Sequence, residues 1–244
     1  PPTGPWQFFL CCIPANRIRR CQEVPDWRET HRTRWTKHRH HESDSLQTGQ
    51  SATFTGPDSI QNILGRVTGN QVSEIDGLIK SEIAAANLYL LNPEGFLFGE
   101  NAKVDVDGAF TVSARESIKL GEEGSFNAVS PNQSVFVSAA PEAFGFLGGN
   151  PGGDITFDGT KLHTIKKTGG IGVSAGDIDL KNGALLSNQD GASIRLEGTN
   201  IIIGSGSGLS ADTYNQDSGG EILLEGSKIK MEESRLSSST YYGG

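Results

Sequence analysis

Beyond residue 21 the chain has no cysteine, and beyond residue 35 it has no tryptophan. A disulfide framework is therefore excluded from most of its 244 residues, and that part holds no thiol to mispair in an oxidising compartment. No run of about 18 apolar residues occurs, which leaves no candidate for a membrane-spanning helix. Aromatic residues make up only 7% and hydrophobic residues 35%, a poor basis for a large helical enzyme core. Excess positive charge is absent too: the formal net charge is -8, against the basic face that general nucleic-acid binding needs. Glycine, by contrast, is abundant at 32 residues, a profile of many short strands joined by tight turns.

These properties are unevenly spread. Residues 1–50 carry all three cysteines (Cys11, Cys12, Cys21), all three tryptophans, four of the five histidines and only 2 glycines. Their Lys+Arg of 8 against Asp+Glu of 5 gives +3, while the rest of the chain sums to -11. Arg17-Ile-Arg-Arg20 and His31-Arg-Thr-Arg-Trp-Thr-Lys-His-Arg-His-His41 follow no period of 2 or 3.6. A metal cluster and a basic nucleic-acid arm compete with a blander reading. Cysteine and histidine spacing matches no standard metal site, and basic runs are more often solvated than functional. Residues 1–46 read instead as no evolved domain, an out-of-frame or disordered stretch dispensable for the fold. The apolar Phe8-Phe-Leu-Cys-Cys-Ile13 is too short for a signal peptide, and positive charge follows it rather than preceding it.

From Ser51 the chain alternates β-prone runs with turn signals. Ile75, Leu78, Ile79 and Ile83 fit one helical face, but Asp76-Gly77 favours strand. Leu88–Leu91 and Phe96–Phe98 are apolar without alternation, so strands with a buried inner face and some outer cover are expected. Between them, Asn92-Pro93-Glu94-Gly95 has type I turn composition. Val104-x-Val106, Phe110-x-Val112, Ile118-x-Leu120 and Val135–Val137 read as further strands, and Pro141–Gly153 as a connector.

The C-terminal third repeats. Ile155-x-Phe157 returns as Ile178-x-Leu180, Ile201-x-Ile203 and Ile229-x-Met231, in steps of 23, 23 and 28 residues. Ile171-x-Val173, Ile194-x-Leu196 and Ile222-x-Leu224 keep the same steps, and a third mark recurs as Leu186-Ser187, Leu209-Ser210 and Leu236-Ser237. An insertion at 213–218 accounts for the longer last step. Three short strands in about 23 residues form one coil of a parallel β-helix, in which each coil buries its face against its neighbours. Gly198 and Gly226 are expected at tight or left-handed corners. The repeat is still running at Tyr241-Tyr-Gly-Gly244, which reads as a fragment of a longer protein.

Six blocks in order resemble the N-terminal secretion domain of filamentous-haemagglutinin-type adhesins, the two-partner secretion domain. They are Ser51-Ala-Thr-Phe-Thr-Gly-Pro57, Asn62-Ile-Leu-Gly-Arg-Val-Thr-Gly69, Ile75-Asp-Gly-Leu-Ile79, Ala86-Asn-Leu-Tyr-Leu-Leu-Asn-Pro93, Gly95-Phe-Leu-Phe-Gly99, and Ser138-Ala-Ala-Pro141 before Phe144-Gly-Phe-Leu147. The family's asparagine-proline-asparagine-glycine-isoleucine motif falls on residues 92–96, where Glu94 and Phe96 depart from it. The resemblance implies an all-β fold, a right-handed parallel β-helix (a single-stranded solenoid), with its N-terminal cap strands largely missing or unrecognisable here. It divides the chain into residues 1–46, a secretion domain at 47–153 and truncated coils at 154–244. It implies export through the periplasm, recognition by an outer-membrane β-barrel transporter with periplasmic binding domains, and arrival at the cell surface as an adhesin. Asn62, Arg66, Asn92, Pro93 and Gly95 are the implied recognition residues. Asn92 is balanced between satisfying backbone groups and meeting the transporter, and Arg66 between a cap contact and recognition. Host-cell or surface glycans or proteins are the further partners implied.

The competing reading is a carbohydrate-active β-helix enzyme, which needs carboxylates stacked on adjacent coils. In the repeat register Asp154, Asp177, Asn200 and Lys228 share one position, and Asp158, Lys181, Gly204 and Glu232 another. Acidic turn residues are the ordinary solvated face, so no catalytic residue is expected. Gly204-Ser-Gly-Ser-Gly208 with Asp212 faintly resembles a calcium-binding nonapeptide without its tandem copies, and His163 reads as a surface or corner residue. No metal site and no cofactor are expected.

Overall fold

Short apolar pairs separated by glycine turns cannot cover themselves within one hairpin, so each must be buried by a neighbouring copy. The computed structural model describes residues 11–14, 45–56, 58–67, 70–137, 141, 152–164, 169–188, 190–214 and 219–241. After an outlying strand β1 (Cys11–Pro14), the chain winds as a parallel β-solenoid of about six turns. The first coil contributes β2 (Ser51–Phe54) and β3 (Ile60–Arg66). The second holds β4 (Ser73–Ile75), β5 (Leu78–Ser81) and β6 (Asn87–Leu91). The third holds β7 (Gly95–Phe98), β8 (Lys103–Asp105) and β9 (Phe110–Ser113). An excursion then carries the hairpin β10 (Ser117–Leu120) and β11 (Gly124–Asn127) and a 3-10 turn at Pro131–Gln133. Winding resumes with β12 (Asp154–Asp158), β13 (Lys161–Thr164) and β14 (Ile171–Ser174). It continues through β15 (Asp177–Lys181), β16 (Leu185–Asn188), β17 (Ile194–Ile203), β18 (Gly208–Ala211), β19 (Ile222–Met231) and β20 (Arg235–Ser237).

Three parallel faces result. The first stacks β4, β7, β12, β15 and the second halves of β17 and β19, with Leu46 bridged to Ile75 at its start. The second face is built from β2, β5 and β8, then β13, β16, β18 and β20. The third stacks β3, β6, β9, β14 and the first halves of β17 and β19. Of the first 46 residues, β1 runs antiparallel along the outer edge of β3. Among the described residues no helix is long and apolar enough to cross a membrane.

The repeat seen in the sequence is the stacking register. Ile155, Ile178, Ile201 and Ile229 lie opposite one another on successive coils, as do Ile171, Ile194 and Ile222, and Leu186, Leu209 and Leu236. The same columns run upstream, where Phe96 and Phe98 sit under Ile155 and Phe157, and Leu88 under Phe110 under Ile171. Phe98 and Phe157 stack face to face, 4.9 Å apart and 11° from parallel. Residues 75–83 form β4 and β5 around the Asp76-Gly77 corner, not a helix.

The outer cover expected over the unalternating strand β6 is the β10–β11 hairpin. Leu88 and Leu90 point into the solenoid core, while Tyr89 and Leu91 join Leu64, Ile118, Leu120 and Phe126 in a second cluster outside it. Val135–Val137, expected as a strand, instead makes one antiparallel bridge from Val135 to Ser125. Phe136 and Val137 spend their side chains on the outer cluster. Most of the Pro141–Gly153 connector lies outside the described residues.

Gly198 and Gly226 do sit at a corner, but not in left-handed conformation. β17 and β19 pass through it as unbroken strands. Glycine fits there because a Cβ at 198 would lie 3.2 Å from the Gly176 carbonyl and 3.3 Å from the Ile178 side chain. Left-handed backbone appears at the corner between the first and second faces, at Gly159, Asn182, Gly183 and Gly206.

Two tests follow from this packing. Ile201 is fully buried and half-buried Asp179 points outward, so Ile201→Asp should cost about 4 kcal/mol or unfold the neighbouring coils. Asp179→Asn should leave the melting curve unchanged, and equal tolerance at both sites would break the register. The second test uses Asp212, whose carboxylate accepts from Ser210 Oγ (2.6 Å), Ser237 Oγ (2.7 Å) and the Ser239 N–H (2.8 Å). Burial pushes this carboxyl up, but those hydrogen bonds and the charge of Arg235 outweigh it and hold the group below the usual aspartate value. A depressed folded value means stability present above the unfolded value and lost as pH falls through the folded one. Acidification below about pH 4 should loosen the coil carrying β20, and Asp212→Asn should remove that acid-dependent step in amide hydrogen exchange.

Candidate functional site

The turn Asn92-Pro93-Glu94-Gly95 carries the chain from the third face to the first, between β6 and β7. Proline presets the second position, and the Gly95 N–H closes the turn on the Asn92 carbonyl at 2.9 Å. Asn92 is fully buried. Its Nδ2 donates within the set of Gln71 O (2.9 Å), Ser73 Oγ (2.8 Å) and Gly95 O (3.0 Å). Its Oδ1 accepts the Glu94 N–H at 3.1 Å, and its own N–H donates to the Ser113 carbonyl at 2.9 Å. One amide thus ties its turn to the preceding coil, and its backbone ties it to the following one.

Gly95 is required twice over. Its φ of 105° is in the left-handed region, and a Cβ there would lie 2.2 Å from the Asp154 carbonyl oxygen. Above it the corner continues as a column of backbone hydrogen bonds. Gly153 N–H donates to Pro93 O (2.8 Å), Gly176 N–H to Gly153 O (2.8 Å) and Thr199 N–H to Gly176 O (2.6 Å). The two motif departures fall in opposite environments. Glu94 is exposed at the turn apex, so its identity is free of packing, whereas Phe96 is buried and stacks on Phe98 at 5.9 Å. The fifth motif position is a core position that asks only for an apolar side chain.

Arg66 lies beside Leu91 in the register, at the same end of the third face as Asn92. It is buried, donates from Nη1 to Asn127 O (2.7 Å) and Ser134 Oγ (3.3 Å), and places its guanidinium 5.0 Å from the Phe126 ring centre. It pins the hairpin excursion to the solenoid, a packing contact worth more than its charge alone. Asn62 is at the opposite end of β3. Its Oδ1 accepts from Asn87 Nδ2 (3.0 Å), and Asn87 Oδ1 accepts the Ala109 N–H (2.9 Å). The structure therefore gathers Arg66, Asn92, Pro93 and Gly95 at one corner and leaves Asn62 apart in an asparagine ladder.

Sequence reasoning missed Gln71 and Ser73, whose oxygens take the Asn92 amide, and a second copy of the device at Asn188. That buried residue donates to Thr164 Oγ1 (2.9 Å) and Gly169 O (2.9 Å) and accepts the N–H groups of Asp190 (3.0 Å) and Ala192 (2.8 Å). The shared signal is an asparagine closing an apolar strand, with its side chain accepting the N–H two residues on.

The carboxylates weighed for catalysis are engaged in stacking. Asp154 Oδ1 accepts the Asp177 N–H (3.0 Å), and Asp177 Oδ1 accepts from Asn200 Nδ2 (2.7 Å). Asp158 takes Asn182 Nδ2 (2.6 Å) and lies 3.6 Å from Lys181 Nζ. His163 Nδ1 meets Ser187 Oγ at 2.7 Å on the outer second face. Among the described residues no three His, Cys, Asp or Glu side chains converge as a metal set. Cys21 and the histidines from His31 to His41 lie outside the described residues.

Removing the Asn92 amide takes a partner from Gln71 O, Ser73 Oγ, Gly95 O and the Glu94 N–H at once. Asn92→Ala should cost about 2–4 kcal/mol in urea unfolding, and Gly95→Ala at least as much. Glu94→Asn should stay within about 0.5 kcal/mol. A Gly95→Ala protein of parental stability would mean that the corner is not built as described.

The family described as the TPS secretion domain, for two-partner secretion, matches residues 36–240. The match begins upstream of Gln47 and runs on through the coils after residue 153. No curated protein and no solved structure matches the chain. The family is one of secretion modules rather than enzymes, and it works with an outer-membrane transporter. With the parallel solenoid and the asparagine-proline turn in place, and a match over most of its length, this chain is a member of the two-partner secretion domain family.

Proposed function

We propose that the chain is the secretion and surface-adhesin module of an exoprotein, carried through the periplasm, recognised by an outer-membrane β-barrel transporter and folding as a β-helix at the cell surface. The family match supports the secretion role, and coil-on-coil hydrogen bonding supports folding at the surface. Each coil finds its backbone partners on the one before it, so a chain emerging N-terminus first can be templated coil by coil without an energy source.

The observation that carries the recognition reading is the contrast within one turn. Asn92 and Gly95 are consumed internally, while Glu94 is exposed and Pro93 half-buried at the apex. The preceding loop adds Val72, 48% exposed beside the Gln71 carbonyl that Asn92 holds. Asn92, Gly95 and Arg66 act in this reading as positioning residues that set the shape of the corner, and Asn62 supports the face that leads to it. Pro93, Glu94 and Val72 form the surface that a periplasmic binding domain of the transporter meets. Host-cell or surface glycans or proteins would meet the outer faces of the coils.

The test is secretion from a cell carrying the whole gene and its transporter. Glu94→Arg and Val72→Asp should leave the purified domain melting near the parent temperature while secreted protein falls severalfold and accumulates in the periplasm. Normal secretion of both would remove the corner as a recognition surface.

A further inference from the structure

We infer that the junction between the third and fourth coils is a hinge, pinned at the Asn92–Gly95 corner and opening on the second face. This goes beyond the secretion reading and does not depend on it. At the junction just below, ladders join all three faces, through β4–β7, β5–β8 and β6–β9. At the junction just above they do so again, through β12–β15, β13–β16 and β14–β17. Between the third and fourth coils the first face is laddered from β7 to β12 and the third from β9 to β14. On the second face β8 and β13 lie side by side, yet among the described residues no ladder joins them. The second face divides there into one sheet of three strands and another of four. The interruption lies inside the solenoid, with complete junctions on either side of it.

The contacts that cross this junction sort by side. At the corner between the third and first faces the Gly153 N–H donates to Pro93 O (2.8 Å), and Gly95 approaches so closely that a Cβ would lie 2.2 Å from the Asp154 carbonyl oxygen. On the adjoining first face Phe98 stacks on Phe157. On the third face the Ala114 N–H donates to Ser174 O (2.8 Å), and Arg115 Nε donates to Ser174 Oγ (3.3 Å). At the corner leading to the second face a hydroxyl makes the crossing. Fully buried Thr160, between β12 and β13, donates Oγ1 within the pair Phe98 O (2.8 Å) and Gly99 O (3.0 Å). Beyond it the closing contacts are apolar, with Leu162 in the core and Val104 packed against that core. Strands not tied coil to coil belong to the low-stability end of local opening. With two laddered faces meeting at a tight corner, one motion is left: the second face gapes while the opposite corner stays shut. Thr160 is the latch of that motion, and the Asn92–Gly95 turn is its pin. The close approach at Gly95 then has a mechanical use besides packing, because it keeps the two coils from sliding.

The experiment is thiol labelling of the 244-residue chain, with modified residues located by peptide mass spectrometry so that Cys11, Cys12 and Cys21 are read separately. Leu162→Cys, at the mouth, is compared with Leu186→Cys, at its register partner one coil on, both positions being buried. Thr160→Cys and Ala184→Cys, at buried positions just before the same two strands, are a gentler pair that keeps the test if the leucine variants do not fold. The thiols at 160 and 162 should react at least about tenfold faster than those at 184 and 186. Adding Thr160→Val to Leu162→Cys removes the latch hydroxyl and should raise the rate at 162 severalfold. Amide hydrogen exchange of the unsubstituted chain reports the pin, and Gly153 and β12 should exchange as slowly as β15. Equal labelling at 162 and 186, and at 160 and 184, means that the second face is shut and overturns the hinge. Exchange in β12 as fast as labelling at the mouth means that the coils part altogether, which overturns it too. So does a rate at 162 that Thr160→Val leaves unchanged.

Discussion

The strands of a coil in this molecule pair their backbone through the coil below and the coil above, and only the turns close on themselves. Parallel strands with matched register leave no hydrogen-bonding option within a coil, and the apolar interior exists only where one coil's side chains lie on the next. The ion pairs on the outer faces are a small addition. Lys80–Asp105 at 3.5 Å and Lys181–Asp158 at 3.6 Å are solvent-exposed pairs of the kind worth about 0–1 kcal/mol. The stacked columns, Phe98 on Phe157 and the isoleucines from Ile155 to Ile201, bury side chains worth about 1.5–3 kcal/mol each.

The corners carry the cost of that arrangement. Where a carbonyl of one coil sits against the backbone of the next, a Cβ has no room, and one added at Gly95, Gly153 or Gly220 would lie within 2.4 Å of such an obstruction. The interruption after β9 obeys the same rule. The hairpin leaves the winding after Ser113, yet Ser174 and Ser113 still stack directly, so the excursion adds an outer layer without shifting the register. Arg66, Tyr89 and Leu91 belong to that outer layer, and their burial is a consequence of the hairpin docking on β3 and β6.

Much of this was legible in the sequence and some was not, for identifiable reasons. From Ile155 onwards the steps of 23 residues made the columns visible, because each coil there has the same three strands and similar corners. Upstream the same columns went unread. The excursion between Val112 and Val173 hides the coil period, though the two residues are neighbours in space. The Leu88–Leu91 run gave away its outer cover, since four consecutive apolar residues cannot all face one core. Gly198 and Gly226 were placed correctly at a corner, and of the two grounds expected there it is tight packing and not left-handed backbone that selects glycine. The turn at residues 92–95 was readable as a turn. The burial of Asn92 was not, since it depends on Gln71 and Ser73, oxygens 21 and 19 residues away in sequence at the start of the coil that Asn92 closes.

The comparison of Asn92 with Asn188 separates two demands that a motif residue can answer. Both asparagines are fully buried at a corner, both donate Nδ2 to a neighbouring hydroxyl and backbone carbonyls, and both accept the N–H two residues on. Asn188 lies beyond the motif at residues 92–96, in a later coil of the same domain, so this use of asparagine is not confined to the motif. A side chain held this way cannot also reach a partner without opening the corner. The hydrogen bonds of Asn92 account for its place in the fold, and in the proposed recognition reading specificity would come from what differs between the two corners. The difference is the proline-led apex. Pro93 presets the turn, its carbonyl accepts the Gly153 N–H, and Glu94 is carried outward on a turn closed by the Gly95 N–H on the Asn92 carbonyl. In the recognition reading proposed above, a rigid apex loses little entropy on binding, which would be the physical advantage of building that surface on a buried amide.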